Sequence, residues 1–447
     1  MSLRKLLSIR IVIGDDMPLS LTRAAPVAAL IALLVVLTSC SAPPEAARAD
    51  GPAAFTEFGP ITLASGKEPM ITARVAQWNQ QHPDEHVTLI ELPRGSDNQR
   101  QQMIQNANTK SDAFTVLNMD CVWTAEFAAH RWIQELPEGS FPLPDMIPQT
   151  VDMARYRGRL YGVPWASDGG LLYYRTDLLA AAGIRNPPTT YAELKRQCDT
   201  VLALPEAKGV ACYAGQFDEY EGLTVNATEV INAAGGHVID GSGAPTVDTA
   251  EARTGLNLLV DWYADGTIPR DAITFKEEQG RQAFSTGKLL FHRNWAYLYN
   301  TASTPSRTNV VVGKFAVAPL PGFSGPGTST LGGHNLGIST FGKNKGTALR
   351  FIQWFTSADT QRRNLADAAE APTYGALYGE PDLVRKYPYL PALEQSIQHA
   401  IPRPSTVRYP DVTAAIQSRV YAAMTGATTA ADALSALRKD LTHILEN

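Results

Sequence analysis

The sequence predicts an α/β protein built from two lobes. Three observations carry that expectation. From Pro60 onward, short apolar strand-like runs alternate with stretches of helical spacing, and such repetition makes a mainly parallel sheet flanked by helices. The stretch Arg159 to Leu178 holds two strand-like pieces around Gly169-Gly170, where the backbone can bend or be approached closely. That is where the chain is expected to cross from one lobe to the other. Roughly 390 residues lie beyond the N-terminal region, enough for two domains.

The N-terminal region reads as an address rather than as fold. Met1 to Asp16 is polar and basic, and Met17 opens a better signal peptide: Arg23, then the apolar run Ala24 to Val36. Met17 is therefore the expected start. Leu37-Thr38-Ser39-Cys40 follows, with small residues before a cysteine, as at a bacterial lipoprotein cleavage site. Cys40 is the expected lipid carrier, residues 1–40 the leader, and residues 41–59 a flexible tether. The apolar run is short for a span of about 20 residues. A folded part held by lipid on the extracellular face of the cell membrane follows from this reading.

The elements then come in order. Pro60 to Ser65 is a strand, Ile71 to Gln81 a helix stopped by Pro83, and His86 to Leu92 an alternating strand. Pro93-Arg-Gly-Ser96 turns into a helix from Asp97 to about Thr109. Phe114 to Met119 is a buried strand ended by Asp120, and Val122 to Trp132 has helical spacing, with Glu126 on it as a solvated charge or as an N-terminal charge that suits the helix dipole. Thr190-x-x-Glu193 caps a helix reaching Leu204. Gly209 to Gly215 is a strand, Leu223 to Ala234 and Ala250 to Asp265 are helices, and Glu277 onward is a helix stopped near Gly287. A strand follows and ends at Asn294-Trp295. Val310 to Pro319 is a further strand, Gly332-Gly333 a turn into another, and Gly346 to Thr356 a helix. The chain beyond Asp359 is mainly helical.

Composition narrows the chemistry. With 39 Lys and Arg against 44 Asp and Glu the net charge is −5. The sequence has no basic run, which argues against a nucleic-acid partner. No CxxC or His/Cys cluster marks a metal, and no cofactor is expected. Cys198 and Cys212 lie near each other and suit a disulfide in an oxidising compartment. Cys121 reads as a free buried thiol.

Asp120 anchors the functional reading. It sits at the carboxyl end of a strand just before a helix, where ligands bind in open α/β sheets. It can accept hydrogen bonds from a polyol, and Trp123 beside it offers an apolar face. Capping the helix is an equal alternative, since Asp does this well. The Gly66–Glu68 loop and Gln99 fall at the same sheet edge. Ser96-x-x-Gln99 is also a capping box in its own right. Trp295 falls at another strand end, as a platform or as plain core. Arg403, flanked by prolines, suits either a ligand contact or a salt bridge across a loop. Trp165, Tyr174 and Tyr220 read as hinge or wall packing.

Together these phrases resemble the extracellular sugar-binding lipoproteins of ABC importers, the solute-binding group that includes maltose-binding protein. The lipobox, the Val-Pro…Leu-Tyr-Tyr-Arg-x-Asp-Leu crossing, the Ala-Phe-x-x-Gly-Lys turn and the downstream Asn-Trp carry the likeness. Asp120-Cys-Val-Trp-Thr-Ala-Glu-Phe-Ala, Gly332-Gly-x-Asn-Leu and Arg403-Pro-x-Thr are similar to the trehalose/maltose-binding lipoproteins of actinobacteria. The resemblance implies the two-lobed type II periplasmic-binding-protein fold, with lobes joined by a multi-strand hinge. Residues 60–167 and 313–365 would form the first lobe, and residues 168–312 and 366–447 the second. It implies a sugar site of Lys67, Glu68, Gln99, Asp120, Asp168, one acid of Glu277 and Glu278, Trp295 as stacking platform, backbone at Gly333, and Arg403. His334 and Tyr374 complete the set. The implied partners are a disaccharide or oligosaccharide, ABC permease subunits and their cytoplasmic ATPase, with the binding protein a monomer and not an enzyme.

The chemistry agrees with a sugar. Charge-assisted hydrogen bonds to hydroxyls are worth about 1.5–3 kcal/mol each, and aromatic rings cover C–H faces. A secreted glycoside hydrolase is the alternative. It needs two carboxylates about 5–10 Å apart, which Asp120 and Asp168 are candidates to supply. A lipid-anchored scaffold without a small ligand is the third class.

Overall fold

The structure, a computed structural model, describes residues 55–93 and 95–446. The leader, Cys40 and most of the 41–59 tether lie outside the described residues. Among the described residues no helix is long and apolar enough to cross a membrane.

Twelve strands set the frame: β1 (Ile61–Gly66), β2 (Val87–Leu92), β3 (Val116–Asp120), β4 (Arg155–Tyr156), β5 (Arg159–Leu160), β6 (Val163–Asp168), β7 (Leu171–Arg175), β8 (Ala211–Ala214), β9 (Leu289–Asn294), β10 (Phe315–Pro319), β11 (Thr330–Ile338) and β12 (Ile401–Pro402). The first sheet runs β12-β11-β3-β1-β2, with β6 also on β11. The second runs β10-β7-β9-β8, and β4 and β5 pair on their own. β1 pairs parallel with β2 and β3, as expected from helix-linked strands. β11 runs antiparallel to β3 and β6. In the second sheet only β8 and β9 are parallel, and β7 is antiparallel to both neighbours. Both sheets are therefore mixed rather than mainly parallel.

β10 corrects the expected boundary at residue 313. Phe315–Pro319 pairs with Leu171–Arg175 in the second sheet. The chain returns to the first sheet only at Thr330. Alternating apolar residues mark a strand but not its partner, so the sheet to which β10 belongs was not legible locally.

Local chemistry explains most helix ends. The helix Pro69–Gln81 begins with Pro at its first position, where a missing N–H costs nothing. The helix Tyr191–Leu202 starts with the expected capping box of Thr190 and Glu193. Gly287, at φ +77°, stops the helix Glu277–Ser285 before β9. The region after β3 departs from expectation: a short 3-10 turn, Cys121–Trp123, precedes a helix of only six residues, Thr124–Ala129. Glu126 on that helix is buried, not solvated, and Arg100 donates to it through Nε at 2.8 Å.

The second lobe is organised around the helix Glu221–Ala233, buried from Glu221 to Ile231. The helices Ala250–Ala264 and Tyr409–Met424 pack against it, and Ala430–Glu446 packs on those two. The expected disulfide joins Cys198 to Cys212.

The crossing from β6 to β7 at Gly169-Gly170 holds for a steric reason. A Cβ on Gly169 would lie 2.5 Å from Ser396 Oγ, and one on Gly170 would lie 2.7 Å from a Glu229 oxygen. Gly170 N–H donates to Ser329 Oγ at 2.6 Å, and its carbonyl accepts from Ser396. Close approach, not an unusual backbone angle, is what demands glycine here.

Candidate functional site

Both sheets deliver residues to one cavity of about 790 Å3. From the first sheet and its loops come Glu68, Gln99, Asp120, Trp123, Asp168, Gly332, Gly333 and His334. From the second lobe come Tyr220, Glu221, Glu277, Glu278, Trp295 and Tyr297, with Asp367, Glu370 and Arg403 from the later segments.

Strand ends explain the first group. Gln99 packs over the end of β1, where a Cβ on Gly66 would lie 2.7 Å from its amide nitrogen. Gln99 does not act in a capping box: Gly95 is the cap residue of that helix and no side-chain cap bond forms. Asp120 acts as the cap considered for it and also reaches the cavity. It ends β3 with Oδ1 accepting from Val122 N–H at 3.2 Å, and it lines the cavity. Arg403 Nη2 also donates to that oxygen at 2.9 Å.

Arg403 is buried between two carboxylates. Its Nη1 donates to Glu221 Oε1 at 2.6 Å. Glu221 also accepts from Tyr409 and from Thr413, the latter at 2.7 Å. Burial raises the Glu221 carboxyl above its ordinary range even with Arg403 beside it. Burial works against the arginine's charge too, but Asp120 and Glu221 hold it firmly protonated. The salt-bridge alternative is thus realised, as a triad joining β3 to the second lobe. Cys121 lies against this triad, and burial pushes its thiol up to about 12.

Trp295 is held firmly in place. The guanidinium of Arg293 lies 3.8 Å from its ring centroid. Arg293 is held by Glu229 through Nε at 2.9 Å and Nη2 at 2.5 Å. Tyr173 donates to the Trp295 carbonyl at 2.8 Å. A Cβ on Gly332 would come within 3.2 Å of the indole edge, so glycine keeps β11 clear of the ring. Gly333, at φ +133°, would drive a Cβ to 2.4 Å from the Ala166 carbonyl. Both glycines lie within β11 rather than in a turn before it.

The acids of the cavity differ from solvated carboxylates. Burial pushes Asp168 up to about 7. Burial also raises Glu277, Glu68 and Glu370, and the last two raise each other's cost of ionising. Both Glu277 and Glu278 line the cavity, so the choice left open between them resolves to both.

Two expected site residues are elsewhere. Lys67 is exposed, and its ammonium pairs with Glu91 at 2.9 Å. The β1–β2 pairing places Glu91 next to the strand end, within reach of the long lysine stem. Tyr374 is buried and bridges to Met146, away from the cavity lining. Sequence reasoning did not select Asp367, Glu370, Tyr297 or Glu221, and Tyr220, read as hinge or wall packing, lies in the cavity wall. Asp367 lies in the last turn of the helix Ala358–Ala368 and Glu370 just past its end, and nothing in their spacing signals a cleft.

Arg403 Nε lines the cavity as a buried donor without a hydrogen-bond partner among the described residues. Such a donor costs about 1–3 kcal/mol when left unpaired, which suits a polar occupant. Tyr220 and Tyr297 line the cavity too, with Glu277 and Asn294 as their hydrogen-bond partners. No group of three or more His, Cys, Asp or Glu among the described residues has metal-holding geometry.

Known proteins share this architecture. Residues 63–362 match the model of the bacterial extracellular solute-binding protein family. A probable ABC transporter-binding protein of Deinococcus radiodurans is 32% identical over 371 residues, covering 80% of this chain and 86% of that protein. A mannitol-binding protein of Pseudomonas aeruginosa is 23% identical over 67% of this chain and 71% of its own length. The maltose-bound MalE3 structure of T. maritima superposes with a TM-score of 0.80 at 32% identity, over 86% of this chain and 99% of that one. The two sheets, the hinge between them and the cleft are those of type II periplasmic binding proteins. These relatives are binding proteins rather than enzymes, which removes the hydrolase alternative. The chain belongs to the bacterial extracellular solute-binding protein family, the binding components of ABC transporters.

Proposed function

We propose that this chain is the lipid-anchored binding component of an ABC sugar importer. It takes a disaccharide or short oligosaccharide, with a trehalose- or maltose-type α-glucoside favoured, and delivers it to the permease and its cytoplasmic ATPase. The carrying observation is one cavity that sets an indole platform, Trp295, among carboxylates from both lobes. Trp295 covers an apolar sugar face. Glu68, Gln99, Asp120, Asp168, Glu277 and Glu278 take hydroxyls, His334 and the Gly333 backbone add to the wall, and Arg403 contributes its unpaired Nε–H. Contacts from both lobes stabilise the closed arrangement only when ligand is present. Maltose in the T. maritima structure and mannitol in the name of the Pseudomonas relative support this ligand class. Cys40 anchors a monomer to the outer face of the membrane.

A thermal-shift panel of trehalose, maltose, longer α-glucosides and unrelated disaccharides tests the reading. A sugar at 100 times its Kd adds about 2.7 kcal/mol. Loss of any shift across the panel would refute sugar binding. For the anchor, Cys40→Ser should move the protein from the membrane fraction to the medium, and an unchanged distribution would refute it.

A further inference from the structure

We propose that the cleft prefers an amine-bearing sugar, with its ammonium seated among Glu68, Asp168 and Glu370. This deepens the sugar reading and rests on it. Eight carboxylate side chains line the cavity, against one arginine and one histidine. Arg403 is consumed by Asp120 and Glu221. Glu278 pairs with Arg281 and Asp367 with Arg74. Among the described residues, Glu68, Asp168, Glu277 and Glu370 have no ion-pair partner.

Their surroundings neutralise them only in part. His334 favours the charge of Glu68, whereas Glu370 meets the charges of Glu68 and Asp168 with no cation beside it among the described residues. Asp168 has Arg293 on its far side, but that guanidinium is already held by Glu229. Asp168 Oδ1 receives only backbone N–H groups, from Gly169 at 3.1 Å and Ala296 at 3.4 Å. Lys276, nearest to Glu277, lies 3.5 Å from Asp218 and over the Tyr220 ring.

A neutral hydroxyl can accept one hydrogen bond from such a carboxyl only while the acid stays protonated. An ammonium satisfies ionised carboxylates in a low-dielectric cleft and forms the stronger, charge-assisted bonds. A phosphate or carboxylate on the sugar would meet like charge. The unpaired, buried Arg403 Nε–H is an independent sign that an occupant completes this cavity.

The test compares neutral disaccharides with their own mono-amino analogues. Trehalose and maltose are titrated against the purified full-length chain beside aminodeoxy-trehaloses and aminodeoxy-maltoses bearing the amine at different carbons. At least one amino analogue should bind tenfold or more tightly than its parent at about pH 7. Its binding should release protons, read by calorimetry in two buffers of different ionisation enthalpy, because an ammonium drives the acids to ionise. Glu370→Gln should shrink the amine-to-neutral ratio while leaving affinity for the neutral parent within a few-fold, and Asp168→Asn should shrink that ratio too. Neutral parents binding more tightly than every amino analogue would overturn the amine preference and leave the sugar reading standing. Binding of neither class would overturn both.

Discussion

Arg403→Ala tests how much of the cleft is held by charge before any ligand arrives. The substitution leaves Asp120 and Glu221 facing each other's charge in a buried site, Glu221 retaining only the Tyr409 and Thr413 hydroxyls. Removing one partner from a buried ion pair costs about 3–5 kcal/mol. With roughly 390 folded residues at about 2.1 cal/mol/K each, the melting temperature should fall by about 4–6 °C. The loss should depend on pH, and the sign follows from burial. Glu221 already titrates above the ordinary 4.5, and removing the cation raises it further. An acid that holds its proton more tightly when folded loses stability as pH rises from its unfolded pKa through its folded one. The deficit should therefore be larger at about pH 8 than at about pH 5. Melting of sugar-free protein by circular dichroism at both pH values measures it. The double variant Glu221→Gln/Arg403→Met should recover part of the loss, since an apolar replacement of a buried pair is often neutral. A melting temperature within a degree of the parent at pH 8, or a larger deficit at pH 5, would refute the triad's role.

Trp295→Ala should weaken sugar affinity by roughly 10–100-fold, since a side chain of this size contributes about 1.5–3 kcal/mol on burial. Calorimetric titration reads it, and an unchanged Kd would remove the platform. Tyr374→Phe and Lys67→Ala should each leave the Kd within twofold, because neither side chain lines the cavity; a tenfold loss at either would mean the cleft extends further. Reduction of Cys198–Cys212, which are 14 residues apart, should cost about 3 kcal/mol by loop entropy. A thiol count on denatured, unreduced protein lacking the lipid-bearing Cys40 should find one free cysteine, and three would refute the bond. Asp168→Asn should flatten stability between pH 3.8 and about 7, where the parent loses stability as the buried carboxyl ionises. An identical pH profile for both proteins would argue against that burial.

The sequence shows what is local and hides what is folded together from afar. The β1, β2 and β3 strands and the helices after the first two were legible because apolar periodicity there is bounded by local signals such as Pro83 and Gly95. The strand-end positions of Asp120, Gln99 and Trp295 were legible for the same reason. The 3-10 turn after Asp120 was not, since Cys121 to Trp123 fit helical spacing equally well. Nor was Arg100 as the partner of Glu126, 26 residues away. The partner strand of β10, the Asp120–Arg403–Glu221 triad and the arrival of Glu370 at the cavity depend on chain closure over more than a hundred residues. Tyr374 carries the right side chain for a sugar wall, and only the bridge to Met146 shows that the first lobe has claimed it.

Glu229 has a consequence for how this protein can diverge. Its carboxylate receives Arg293, the Thr330 N–H at 3.2 Å and Ser329 Oγ at 3.4 Å, and Ser329 in turn receives the Gly170 N–H. One side chain thus fastens the indole platform to the strands on which the lobes swing. Ligand grip and bending stiffness share a rivet, so a substitution there alters both. Lineages that change their diet without losing the swing are left the outer walls to vary, above all the helix end at Asp367 to Glu370. Relatives with different ligands should differ there first and keep the rivet.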